Sequence, residues 1–238
     1  MTVERAVLSA EHVRRGLPHP VGVSVRYLSA LGALPLRPLD AIEEAALGPR
    51  AIERRRVLFA LGRAVAHDGL RELGVADAPI ARGTGGEPLW PEEVVGAISH
   101  SNELAVAVVG RRRDYVGLGV DVEELARGPS ARAARLLCRP SEIGWVDLES
   151  GTERLAMLFS AKEAIFKALY PIEHVWLGFT DAELTWRADQ GVFAARVFKS
   201  VGRGYPAGFG LTVNVTVGAT WVLSTAFVPA TRSDARMI

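Results

Sequence analysis

A chain of 238 residues, 49% hydrophobic and 23% charged, is long enough for one large domain or two small ones, each with a substantial core. Its 28 lysines plus arginines against 27 aspartates plus glutamates leave a formal charge of +1, which excludes a protein that coats nucleic acid through bulk charge, although local basic patches stay open. The single cysteine, Cys138, excludes an internal disulfide and fits a reducing cytosol.

At the start, MTVERAVLSAEHVRRG places Glu4 and Arg5 where a secretory peptide needs its apolar run. Residues 40–75 read as mainly helical, with Leu58, Leu61, Val65 and Leu70 at helical spacing among arginines. His67 falls here and reads as an ordinary helix residue. The stretch APIARGTGGEPLWP cannot continue a helix. Gly83, Gly85 and Gly86 in it expose backbone amides, yet it is neither a phosphate-binding P-loop nor a dinucleotide fingerprint, and a surface loop is its default reading.

Next, VVGAISHSNELAVAVVGRRRDYVGLGVDVEEL alternates short β-branched runs with turn signals, which predicts strand, loop, strand, turn, strand. Arg111 to Arg113 cap the turn as a solvated run. In VGLGVDVEE, strand alternation puts Val116, Leu118, Val120 and Val122 on a core face and Gly117, Gly119, Asp121 and Glu123 on the other. Two carboxylates and two residues without side chains leave room for a ligand, and a hard cation such as Mg²⁺ relieves the carboxylate repulsion. An acidic strand end at the surface suits the same residues.

A helical region spans about 130–170, and RLLCRP within it marks a helix end with a buried structural thiol at Cys138. In FSAKEAIFKAL, helical steps line up Leu155, Leu158, Phe159, Ile165, Phe166 and Leu169 in one stripe. Met157, Ala161, Ala164 and Ala168 form a second, small-residue face. Ser160, Glu163 and Lys167 form a narrow polar sector between them. Lys162 falls inside the apolar stripe. Lys162, Lys167 and Lys199 are the only lysines in the chain. An ammonium is a compact point charge where arginine is a planar fork, so two lysines here suggest that the position needs the point charge. The alternative is an amphipathic helix with an ion pair and Lys162 snorkelling. Four further strands follow, AELTWRA, GVFAARVF, LTVNVTV and WVLSTAFV, before a polar tail that reads as frayed. The most apolar stretch, residues 211–228, is interrupted by Asn214, Gly218 and several threonines, and suits strands rather than a membrane span. Helices mixed with antiparallel strands in both halves give an α+β fold with no repeat legible in residue identities.

Three motifs occur in order: S-H-S at Ser99–Ser101, G-x-D-x-E about twenty residues later, and F-S-x-K-E-A-x-x-K about forty beyond. With GEPLWP, VVGAISH and WLGF beside them, they resemble the 4′-phosphopantetheinyl transferases. The resemblance covers roughly 50–180 and is to the single-chain type, similar to the enterobactin and mycobacterial enzymes, that serves siderophore, polyketide, nonribosomal-peptide and fatty-acid carrier proteins. It implies two similar α+β halves related by a pseudo-twofold axis, here 1–115 and 116–238, with coenzyme A between them. It implies that a serine of an apo acyl or peptidyl carrier protein attacks the pantetheine-side phosphate, expelling 3′,5′-ADP. Asp121, Glu123 and Glu163 then match the ligands of Mg²⁺ or Mn²⁺, with Glu163 and Lys167 catalytic. Lys162 and Lys167 match contacts to the coenzyme A phosphates, Ser99 and His100 the 3′-phosphate end, and Arg56, Arg63 and Arg82 the nucleotide. Phe159 stands where relatives commonly have Trp. Gly86-Glu87-Pro88 replaces a common G-K-P, leaving Arg82 to supply the missing cation. A monomeric cytoplasmic enzyme without nucleic-acid or membrane partners is expected. A Mg²⁺-dependent phosphohydrolase and a non-catalytic coenzyme A or carrier binder stay open as alternatives.

Overall fold

In the computed structural model, residues 7–31, 36–48, 50–146 and 152–230 are described; Glu4, Arg5 and nearly all of the polar tail lie outside them. Helix α1 (Ala10–Arg14) leads to strand β1 (Val21–Tyr27), where valines at every second position favour an extended chain. Helix α2 (Ala41–Ala45) starts in a capping box, with Asp40 accepting from Ile42 N–H and Glu43 accepting from Asp40 N–H. The long helix α3 (Glu53–Glu72) follows, then β2 (Ala81–Arg82) and β3 (Pro88–Leu89), a small hairpin around the glycine turn. The predicted strand, loop, strand, turn, strand forms as β4 (Val94–His100), β5 (Leu104–Arg111) and β6 (Tyr115–Glu124). Short helices α4 (Ala134–Leu137) and α5 (Pro140–Val146) precede the second long helix, α6 (Glu153–Glu173). Strands β7 (Ala182–Arg187), β8 (Val192–Val197), β9 (Phe209–Val217) and β10 (Trp221–Pro229) fall on the four predicted segments.

The α+β expectation holds, and the halves share a topology. Each runs strand, long helix, hairpin, and the last strand of the hairpin returns antiparallel beside the first strand. The order β1-β5-β4 in one sheet repeats as β6-β10-β9 in the other, which β8 and β7 extend to five strands. Helix α3 covers one face of the first sheet, burying Leu61, Val65 and Leu70 against Ala105, Ala107 and Val109. Helix α6 covers the second sheet, burying Leu155, Leu158, Ile165 and Leu169 with Leu211, Val213 and Ala226. The remaining faces meet: Val95, Ala97, Val106 and Val108 pack with Leu118, Val120, Val122 and Leu223. The result is four layers, helix, sheet, sheet, helix, with a seam between the sheets.

Two strand expectations need correction. A bulge shifts the β6–β10 register between Tyr115 and Gly117, so Val116 packs with the α6 core rather than sharing the seam face of Leu118, Val120 and Val122. The space beside Gly117 and Gly119 admits a helix, not a ligand. A Cβ on Gly119 would lie 1.9 Å from Ala164 O, and one on Gly117 2.1 Å from Ala168 O. The first half uses the same device, where a Cβ on Gly22 would lie 1.9 Å from Gly69 O of α3. No helix among the described residues is long and apolar enough to cross a membrane.

Candidate active site at the seam

The end of β4, the middle of β6 and the polar strip of α6 converge at the margin of the seam, where the edge strands β4 and β6 of the two sheets adjoin. Asp121 is buried there, and its Oδ1 accepts from Ser99 Oγ at 2.9 Å and from Lys167 Nζ at 2.7 Å. Lys167 also donates to Ser99 Oγ at 3.0 Å, and Val122 N–H donates to the same oxygen at 3.3 Å. Ser160, in the polar strip, donates to Asp121 O at 3.4 Å. Three predicted positions, Ser99, Asp121 and Lys167, are thus joined through one hydroxyl, one carboxylate and one ammonium, and Ser160 adds a second hydroxyl on the Asp121 backbone.

Glu123 and Glu163 complete a patch of negative charge. Burial first, then the neighbouring Asp121, pushes Glu123 up to about 7; Glu163 adds to this and Lys167 opposes it. Burial also raises Glu163, with Lys167 pulling it down and Asp121 pushing it up. Asp121 Oδ2 is buried without a partner among the described residues. All these groups offer carboxylate oxygens, so an orphaned oxygen and two carboxyls raised by burial and by Asp121 fit a hard divalent cation. No three carboxylates or imidazoles among the described residues are gathered closely enough to enclose one; Lys167 shields Asp121 in this arrangement.

The cationic side is less uniform. His100, at the end of β4, is held below the ordinary imidazole value by desolvation and then by the Lys167 ammonium, with Arg55 adding to the effect. Arg63 is 5% exposed, its guanidinium lies over the Phe59 ring, and its Nε has no partner among the described residues. Desolvation pushes it down to about 10, Arg82 pushes the same way, and Glu43 opposes both. The structure does not bring Arg56 into this group, because it donates to Glu44 Oε1 at 2.7 Å and Ala51 O at 3.2 Å. Arg55 is the neighbour whose charge reaches His100. It shares a helical stripe with Gly62, seven residues on, which lies against Ile98 of β4. A run of three arginines in sequence gives no means of choosing among them.

Lys162 likewise stays apart from the cluster. Its ammonium is buried and donates to Glu142 at 2.7 Å and Leu137 O at 2.8 Å. Glu142 is also buried and accepts from Arg139 N–H at 2.6 Å and Leu184 N–H at 2.7 Å. The charge that looked misplaced on the helical wheel therefore has a protein partner, and it ties α4, α5 and β7 to α6. The glycine turn contributes across the seam. A Cβ on Gly85 would lie 2.0 Å from the Tyr170 hydroxyl of α6, and Glu87 approaches His174 Nδ1 at 3.4 Å. Cys138 is a buried free thiol at the end of α4, as expected.

Residues 43–110 match the family model described as the 4′-phosphopantetheinyl transferase N-terminal domain, and residues 117–213 match that of the 4′-phosphopantetheinyl transferase superfamily. The chain is 37% identical over 169 residues to 4′-phosphopantetheinyl transferase PptT of Mycobacterium tuberculosis, covering 65% of this chain and 70% of that protein. It is 38% identical over 159 residues to 4′-phosphopantetheinyl transferase Svp of Streptomyces mobaraensis, covering 65% and 64%. It is 33% identical over 136 residues to enterobactin synthase component D of Salmonella typhimurium, covering 56% and 55%.

Proposed function

Because this chain belongs to the 4′-phosphopantetheinyl transferase superfamily, we propose that it moves the 4′-phosphopantetheine arm of coenzyme A onto a serine hydroxyl of an apo acyl or peptidyl carrier protein. The observation that carries this reading is the Ser99–Asp121–Lys167 cluster at the seam, with Glu123 and Glu163 beside it. In the reaction a carrier-serine oxygen bonds to the pantetheine-side phosphorus, and the bond from that phosphorus to the oxygen of 3′,5′-ADP breaks. Phosphate charge repels the nucleophile, so the cations of the site lower the barrier by binding charge that builds on the leaving group.

Lys167 is assigned to the phosphates as a point charge, released from Asp121 toward them. Glu163 is assigned to take the serine proton, directly or through a water, from its place beside Asp121 and Lys167. Asp121, Glu123 and Glu163 are assigned to hold Mg²⁺ or Mn²⁺, and the ion would neutralise the pyrophosphate as a Lewis acid. Arg55, Arg63, Arg82 and His100 are assigned to the nucleotide and 3′-phosphate end. Lys162 is assigned to the packing of α6, given its buried bond to Glu142. In this reading the halves 1–115 and 116–238 act together as a cytoplasmic monomer.

The test is to incubate the protein with coenzyme A, Mg²⁺ and an apo carrier, then weigh the carrier. A gain of one phosphopantetheine arm is the expected result. Nucleotide release without a carrier adduct would instead identify a phosphohydrolase, and neither product would leave a binder.

A further inference from the structure

His67 sits in the middle of α3 with no side-chain exposure, yet both of its ring nitrogens face carboxylates. Nε2 lies 2.7 Å from Glu43 Oε1 of α2, and Nδ1 lies 2.5 Å from Asp77 Oδ1 in the segment after α3. Ionised carboxylates only accept hydrogen bonds, and a neutral imidazole carries one N–H. Only the imidazolium can donate to both. Burial pushes both acids up. For Glu43, hydrogen bonds from Asp40 N–H, His67 and Ile80 N–H outweigh it; for Asp77, the charge and hydrogen bond of His67 and then Arg37 do so, leaving both below their ordinary values.

The other charges around this group are few. Arg37 donates to both Asp77 oxygens, at 2.9 and 3.1 Å. Arg63 lies one turn before His67 on α3 and feels both Glu43 and Arg82. Glu43 is further held by Asp40 N–H at 3.0 Å and Ile80 N–H at 3.1 Å. It is completely buried, whereas the Asp77 side chain is 59% exposed.

Glu43 ties together the two walls of a groove of about 520 Å³, since it belongs to α2 and accepts from Ile80 N–H just before the hairpin. One wall is α2, with Ile42, Ala45 and Ala46; the other is the hairpin, with Arg82, Gly83 and Thr84. Glu43 follows Ile42 directly, and Ile80 directly precedes β2. We propose that the Glu43–His67–Asp77 network is a proton-dependent staple that sets the width of this groove and the placement of Arg82 and Arg63, so that His67 is a positioning residue for coenzyme A binding. This rests on the transferase reading above. When the imidazole loses its proton, one nitrogen lone pair faces a carboxylate lone pair. Asp77 is the partner free to move away, and the chain between it and Arg82 loosens. Affinity for coenzyme A falls while the chemical step at Asp121 and Lys167 is untouched.

Calorimetric titration of coenzyme A into the full-length chain, together with kcat and KM, tests this between about pH 6 and 9. The dissociation constant and KM are expected to rise several-fold toward the alkaline end beyond any change seen in Asp77→Asn, with kcat parallel in the two proteins. An asparagine amide can donate to an unprotonated Nδ1, so Asp77→Asn removes the step. Arg37→Gln, which removes the second cation on Asp77 but keeps Glu43, His67 and Asp77 themselves, is expected to keep it. ¹⁵N NMR of the His67 ring at pH 7 is expected to show both nitrogens protonated. A neutral ring, or an Asp77→Asn profile that tracks the parent, overturns the staple. Absence of coenzyme A binding at every pH overturns the transferase reading as well, and the NMR signal then still decides the protonation state separately.

Discussion

Lys167 reaches two acceptors from different halves of the chain, Ser99 Oγ on β4 and Asp121 Oδ1 on β6, with one nitrogen. A guanidinium spreads its donors over a plane and cannot meet both oxygens from that point. Lys167→Arg is therefore expected to lose at least about tenfold in kcat/KM despite keeping its charge. Asp121→Ala is expected to abolish transfer with an unchanged circular dichroism spectrum, and both are read by the mass gain of the carrier. Glu123 gives a stability test. Its carboxyl, raised from 4.5 to about 7, stays protonated in the folded chain where the unfolded chain has lost the proton. Its contribution to stability therefore falls as pH rises through that window. Glu123→Gln removes the repulsion, so the metal-free variant should melt about 2 °C or more above the parent at pH 8. The gain should shrink near pH 5, and Mg²⁺ should raise the parent's Tm more than the variant's.

At the scale of the element, the two long helices are seated by glycines and pinned by buried polar bonds. Gly119→Ala would force a methyl into Ala164 O, and the helix must lift or the strand must bend. A loss of roughly 2–4 kcal/mol in urea unfolding is expected. Gly144 of α5 has open space around its Cβ position, and Gly144→Ala should stabilise by about 0.5–1 kcal/mol through helix propensity. The Lys162–Glu142 pair predicts a different pattern. Lys162→Met alone strands a buried carboxylate and should cost about 3–5 kcal/mol, while Lys162→Met with Glu142→Gln recovers part of it. Denaturant midpoints check all four. The helical wheel located the buried lysine of α6 but could not supply its partner, because Glu142 lies twenty residues upstream on a separate short helix. Strand β1 carries its own signal, since VGVSVRY has valines at period two. The glycine face of β6 was visible, whereas which body would fill it depended on tertiary packing.

For the molecule as a whole, the motif residues Ser99, Asp121, Glu163 and Lys167 were legible because each sits in a short pattern with a chemical reason. The repeat was not, because β1-β5-β4 and β6-β10-β9 share connectivity and no run of residue identities. Both sheets also hide an apolar face in the seam. Exposing Val106, Val108, Leu118, Val120, Val122 and Leu223 would cost roughly 10 kcal/mol or more at about 1.5–3 kcal/mol each. That is comparable with the whole stability of a domain, about 5–15 kcal/mol. Fragments 1–114 and 115–238 expressed apart are therefore expected to give no cooperative unfolding transition, and co-expression is expected to restore one. Because Ser99 belongs to one sheet and Asp121 to the other, their 2.9 Å hydrogen bond measures the alignment of the two sheets. A slip of an ångström along that boundary would silence turnover while every helix and strand stayed intact, which makes catalysis a finer gauge of sheet alignment than any spectroscopic signal of secondary structure.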